Sequence, residues 1–432
     1  MPGRSVQSDG SFNPGNTTEN WQPCFGLINL NSNGEQMDAG QRRKVLVVIM
    51  ALMMGAAGGC STSNQSEAPP SSVKPPHLFW VFVGTYTKTI SKGIYLLKLD
   101  TDTGALSPPT LAAQITDPNF LVAGRGNRFL FTVGHASDGK TSVVDAFAMD
   151  ARTGKLTFLN QQPSGGQGAT HLDVDRAGTT TVVANYSSGQ VSVLPIAPDG
   201  TLGPPSQVIQ HTGSSVDPQR QQHAFPHACN FDPTGRFVLV PDLGTDKVYT
   251  YRFDASDHKL TPGDPAAVVV APGTGPRHMA FHPNGRFAYV VGEMGGTAMV
   301  FAYDSQHGSL RPLQTISTLP PDYKGQNTTA EVQVLPSGKF LFVSNRGPND
   351  IAIFSIEDDG ARLVLKGFQS TLGKGPRYIG VDPTGRFLLA ANQYSDSVIL
   401  YRIDPQTGAL TPTGASVQVG IPVSLLFVPV GG

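Results

Sequence analysis

Cysteine is almost missing from this chain. Three occur in 432 residues, at Cys24, Cys60 and Cys229, too few for a framework of paired bridges. Cys229 is the only thiol of the main body. It sits on an apolar strand without a CxxC or nucleophile signature, so it reads as a small core residue. Charge is scarce as well: 15% of residues are charged and the net charge is −1. That leaves no electrostatic basis for nucleic-acid binding, and no nucleic-acid partner is expected. The apolar run Val45 to Met54 is too short to span a bilayer comfortably. Glycine and proline, by contrast, are plentiful, at 49 and 35 residues. Both break helices and build turns, which points to many short strands.

The N-terminal part divides by composition. Residues 1–36 are polar and irregular, an overcalled start or a disordered extension. Residues 37–60 read as a signal peptide that begins at Met37. Arg42, Arg43 and Lys44 precede the apolar run, and Gly55-Ala56-Ala57-Gly58-Gly59 leads into Cys60. The small residues before Cys60 resemble a bacterial lipobox, with Ala57 where leucine is usual, and make Cys60 the expected lipidation and membrane-attachment point. An ordinary signal peptide is the alternative. Residues 61–76, rich in Ser, Pro and Asn, read as a tether that cannot bury a core. The chain is therefore expected to be exported, periplasmic or anchored as a lipoprotein, and cytoplasmic where the signal is not used.

From residue 77 to 432 the chain repeats itself. Pro226–Asp254 reads PHACNFDPTGRFVLVPDLGTDKVYTYRFD; similar blocks start at Pro276 and Pro376, and weaker ones at Pro118, Ala169 and Thr329. Gly178, Gly235, Gly285, Gly338 and Gly385 mark one point in each copy, at a spacing of roughly 50 residues, the length of a propeller blade. Each copy alternates apolar and polar residues between turns, the pattern of antiparallel strands, four to a blade. Six copies are complete. The seventh is split: residues 77–99 lack a first strand, and Pro422 to Val428 is a first strand with nothing after it. Joining the two predicts an all-β, seven-bladed β-propeller of four-stranded antiparallel blades. The C-terminal strand closes the ring on the first blade and leaves no open edge.

Two registers of the repeat carry polar residues that differ from copy to copy. The start of each first strand reads Asn119, Thr170, His227, Arg277, Ala330 and Arg377. The end of each second strand, which returns to the same rim, reads His135, Tyr186, Leu243, Glu293, Arg346 and Gln393. One carboxylate, one imidazole and several guanidiniums should therefore meet at the channel mouth. Glu293 or His227 can serve as general base to a water molecule, and Arg277 and Arg346 can hold an anion or an oxyanion. Arg377, His135, Tyr186 and Asn119 occupy the same registers and are expected to bind substrate. The spacing of Arg277 and Glu293 fits a structural ion pair as well. His171 and His278 fall one position off and should alternate away from the channel, into packing. Arg236, Arg286 and Arg386 recur with the repeat and should serve the Asp-Pro-x-Gly turns. The histidines lack metal-ligand spacing, so no metal or other cofactor is expected.

The segment Gly275-Pro276-Arg277-His278-Met279-Ala280-Phe281-His282-Pro283-Asn284 resembles the signature of the propeller-type 6-phosphogluconolactonase and carboxymuconate cyclase family. Glu293 in Gly-Glu-Met, Arg346 in Ser-Asn-Arg and His227 are similar to its later pattern. The resemblance spans roughly residues 78 to 430. It implies a catalytic set of His227, Arg277, Glu293 and Arg346, and hydrolysis or closure of a lactone. The expected activity is metal-independent hydrolysis of a small anionic sugar-acid lactone by a monomer. A muconate-type lactonising cyclase and a non-catalytic binding scaffold are the alternatives. Replacing Glu293 or Arg277 is expected to abolish turnover and spare the fold.

Overall fold

The computed structural model describes residues 77–431. The extension, signal peptide, tether and lipidation site read from the sequence, Cys60 included, lie outside the described residues.

Seven antiparallel sheets follow one another around a ring. Blade 1 takes Pro422–Pro429 as its innermost strand, followed by Leu78–Thr85, Gly93–Asp100 and an outer strand split into Ala105–Leu106 and Thr110–Gln114. The other blades begin at Thr116, Ala169, Asn230, Pro276, Thr329 and Pro376. The ring closes where Phe79 to Thr85 pairs antiparallel with Pro429 to Pro422. Both halves of the split repeat thus find their partner, and the seven-bladed architecture stands.

Burial follows from the radial stacking of the blades. A second strand is covered by a blade on each face, so it needs no polar side. Phe237–Asp242, Phe340–Asn345 and Phe387–Asn392 are buried at every position. Outer strands such as Leu410–Gln418 expose most of their residues. The core is accordingly seven apolar layers, one in each gap between neighbouring blades. A phenylalanine opening the second strand anchors many of these layers. Phe237 packs on Gly308 of the next blade, where an added Cβ would lie 2.4 Å from the ring at a backbone φ of +71°. Phe129 meets Gly200 and Phe287 meets Gly360 in the same way, and Phe387 meets Gly104 across the ring closure. Burying such a ring contributes roughly 2–3 kcal/mol, and only glycine leaves room for it.

The turn between first and second strands is built by its aspartate. Asp232 Oδ1 accepts the N–H groups of Arg236 and Phe237 at 2.8 Å each, and Oδ2 accepts from Thr234. Asp382 does the same for Arg386 and Phe387. The arginines of these turns reach further than expected. Arg236 donates to Ser305 O, Arg286 pairs with Asp359, and Arg386 Nη1 pairs with Asp102 Oδ1 at 2.7 Å, each on the neighbouring blade. They join blades as well as serving their own turn.

Candidate active site

The two registers do converge on one rim. Glu293 N donates to Gly275 O, Arg346 N to Thr328 O, Tyr186 N to Gly168 O and Gln393 N to Gly375 O. Each second strand therefore ends beside the start of its own first strand. A bulge recurs at that start. Pro276 pairs with Gly292 and Met279 with Val290, so Arg277 and His278 together oppose Val291. Blades 6 and 7 carry the same irregularity between Thr329 and Val332 and between Pro376 and Tyr378. Such a bulge resets the alternation of side chains and re-aims them.

Glu293 is the hub. Its Oε2 lies 2.9 Å from Arg346 Nη2, 3.0 Å from Arg277 Nε and 3.8 Å from His227 Nε2. Its Oε1 accepts from Arg220 Nη2 at 2.5 Å. The carboxylate is 4% exposed. Burial alone would raise its pKa, but the Arg346, Arg277 and Arg220 guanidiniums outweigh burial and hold it well below the usual carboxylate range. Burial and the charge of Arg277 press His227 the other way, far below its ordinary value, so its ring is neutral. Arg277 is itself buried, and its Nη1 donates to Ala330 O. Burial, Arg346 and Arg377 bring it down to about 9, still a cation at neutral pH.

Of the eight residues chosen by register, seven line one cavity of about 540 Å³: His227, Glu293, Arg346, Arg377, His135, Tyr186 and Asn119. Arg277 stands behind Glu293 instead and meets the cavity only through that carboxylate. Tyr186 packs its ring 5.2 Å from that of His227. Asn119 Nδ2 donates to Ala169 O, and His135 pairs with Asp117 Oδ2 at 3.3 Å. Arg377 Nη2 donates to Tyr86 OH, with its guanidinium over the Tyr86 ring; Lys88 Nζ lies over the same ring at 5.4 Å. No carboxylate pairs with Arg377 or Lys88 among the described residues, so this side of the cavity can receive an anion.

His171 and His278 are a correction. Strict alternation sends them away from the channel; they lie in it. The rings of His171 and His278 are 5.2 Å apart, His278 and His227 likewise, and Phe120 lies 4.0 Å from His171 and 6.0 Å from Tyr378. Side chains from blades 2, 3, 4, 5 and 7 thus form an aromatic floor beneath the cavity. The bulge is the reason: the extra residue turns its neighbour inward too. There the two rings pack against each other and against Phe120. Cys229 lies behind this floor, fully buried, with burial pushing its thiol up.

Three groups escaped the register argument. Arg220 belongs to the long connection 211–229 between blades 3 and 4, outside the repeat. Its length beside connections such as 371–375 was the available signal, since long ordered loops carry function. Glu331 follows Ala330 in blade 6 and accepts from, or donates to, His278 Nδ1 at 2.8 Å in the channel floor. Tyr86 and Lys88 lie in the turn after the second strand of blade 1, whose split copy offered no register to align. Among the described residues, no three His, Cys, Asp or Glu side chains gather as a metal-binding group.

Comparison with known proteins places this architecture. The profile of the family described as lactonase, 7-bladed beta-propeller, matches residues 80–427. A 6-phosphogluconolactonase of Bacillus subtilis is 37% identical over 346 residues, 80% of this chain and 97% of the relative. A 6-phosphogluconolactonase of Formosa agariphila is 32% identical over 336 residues, 76% of this chain and 94% of the relative. Among solved structures, a periplasmic gluconolactonase of Pseudomonas aeruginosa superposes with a TM-score of 0.78 at 35% identity, covering 82% of this chain and 99% of that one. The chain belongs to the seven-bladed β-propeller lactonase family.

Proposed function

We propose that this chain hydrolyses a sugar-acid lactone, of the kind named for its 6-phosphogluconolactonase relatives, without a metal. One observation carries the reading: a buried carboxylate held by three guanidiniums sits beside a neutral imidazole at the wall of the cavity. Glu293 is engaged by three guanidiniums, and the base role is assigned to His227, which lines the cavity as a neutral ring. The His227 Nδ1 is buried without a protein partner, and its Nε2 faces Glu293. When it accepts the proton, the Glu293 carboxylate 3.8 Å away stabilises the new imidazolium, as the third member of a nucleophile–base–carboxylate set does. The water oxygen adds to the lactone carbonyl. Arg346 and Arg220, both facing the cavity, stabilise the resulting oxyanion. The ring C–O bond then breaks and its oxygen leaves as a hydroxyl that takes the proton from His227. Arg377 and Lys88 receive an acidic substituent where the lactone carries one, and Arg277 fixes Glu293 from behind. Steady-state assays of the purified chain over a panel of aldonolactones and muconate-type dicarboxylic acids test this. Lactone hydrolysis is expected; turnover of the dicarboxylic acids alone would establish a cyclase, and a folded protein inert on the whole panel would establish a binding scaffold.

We further propose that residues 37–60 export a monomeric catalytic body of residues 77–432 and that Cys60 carries the lipid. The charged, apolar and small-residue order of that segment supports this, as does a structural relative described as periplasmic. Mass spectrometry of the mature protein should find Cys60 as a modified first residue; a mature chain that starts upstream of residue 37 would refute it.

A further inference from the structure

Beside the catalytic cavity lies a larger one, of about 850 Å³, that shares Arg220, Thr328 and Arg346 with it as common walls. Its walls are two connections that exceed the others between blades, 211–229 and 318–328. They are firmly held. Asp246, 2% exposed, accepts from Ser215 Oγ at 2.6 Å, Gln221 Nε2 at 2.8 Å, and Gly273 N and Gly275 N at 2.7 Å each. On the facing wall, Asn327 accepts from Gly347 N and donates to Thr329 Oγ1. A space walled by anchored loops is a formed site rather than a gap between moving ones.

Its chemistry excludes two classes of occupant. Arg220 and Arg346 serve Glu293 and the oxyanion of the adjoining cavity, and Asp217 adds a carboxylate to this one, so a phosphate or carboxylate is disfavoured there. The carboxamides of Gln326 and Asn327 and the hydroxyl of Thr328 make the lining too polar for an acyl chain. What remains is neutral hydrogen-bonding capacity beside the apolar surfaces of Val216, Pro218 and Met294. Polar edges beside carbon faces match a second pyranose ring.

We propose that this cavity is a glycosyl subsite and that the preferred substrate is an aldonolactone bearing a glycosyl substituent, an oxidised disaccharide. The assignment rests on the lactonase reading of the adjoining cavity. The lactone ring lies against His227 and Glu293, and the glycosyl group passes between Arg220 and Thr328. Water adds to the carbonyl, the ring ester C–O bond breaks, and a glycosyl-aldonic acid leaves with the glycosidic bond intact.

The test compares hydrolysis of cellobiono-1,5-lactone and glucono-1,5-lactone above the spontaneous rate. The disaccharide lactone is expected to show at least roughly tenfold higher kcat/KM, mainly through KM, the gain a few sugar contacts supply. Val216→Trp fills the cavity from a side chain that is 65% exposed, and Gln326→Ala removes a carboxamide. Each should lower kcat/KM for cellobionolactone by roughly tenfold and leave gluconolactone within about twofold. Equal kcat/KM for the two lactones, or variants that affect both alike, would overturn the subsite. Failure to hydrolyse either lactone would instead refute the lactonase reading beneath it.

Discussion

Glu293→Gln should lower kcat/KM for lactone hydrolysis by about a thousandfold, the scale of a lost acid–base or charge-stabilising group. The fall should lie in kcat, because the carboxylate acts on the imidazolium formed during the reaction rather than on bound substrate. The fold will also suffer, contrary to the expectation from sequence alone. Arg277 and Arg346 have side chains only 2% and 9% exposed, and Glu293 is the carboxylate that pairs with both. Leaving two buried cations without it costs on the order of 3–5 kcal/mol. Turnover must therefore be measured where circular dichroism shows the variant fully folded. Adding Arg277→Met separates the two effects: the double variant should regain part of the lost stability and none of the activity. A folded Glu293→Gln protein with near-normal kcat would eliminate this mechanism.

Glu331→Gln should flatten the dependence of stability on pH between 5 and 8. Burial pushes the Glu331 carboxyl up to about 8, against the opposing pull of Arg277. Its other neighbours are Arg377, which also pulls it down, His278, kept neutral by burial, Gln333 and Tyr378. Unfolded, the carboxyl titrates near 4.5. The native state therefore binds the extra proton between those values, and stability falls as pH rises through that window. Below it both states are protonated and the full contribution is present. The loss amounts to on the order of 3 kcal/mol. Glutamine keeps the shape and a hydrogen bond to His278 but cannot ionise. Urea midpoints of the two proteins at pH 5 and pH 8 decide the matter; parallel pH curves would mean that Glu331 does not titrate in this window.

The blade count, the closing strand and the meeting of His227, Glu293, Arg346 and Arg377 were legible because they depend on the period of the repeat and the return of a hairpin to its own rim. Four things were not. The bulge between Pro276 and Met279 adds a residue that no pattern of apolar positions marks, and it turns His278 into the channel. Arg220 comes from a connection that has no counterpart in other blades, so nothing in the repeat placed it against Glu293. Arg277 fell in the right register at the wrong depth: alternation reports which face a side chain takes, not whether another side chain stands in front of it. The pairing of Phe237 with Gly308 and its equivalents was hidden for a similar reason, since the contact joins two copies of the repeat.

The pairing of Leu78–Thr85 with Pro422–Pro429 has a temporal side. These strands are separated by nearly the whole propeller, and the second follows every other strand of the ring in chain order. Blades 2 to 7 can stack through contacts between neighbours while blade 1 waits for its innermost strand. Contacts of such separation form late and slowly, and until they do a bare strand edge is exposed to other chains. Assembly of this propeller is therefore a race between one long-range docking event and association with neighbours.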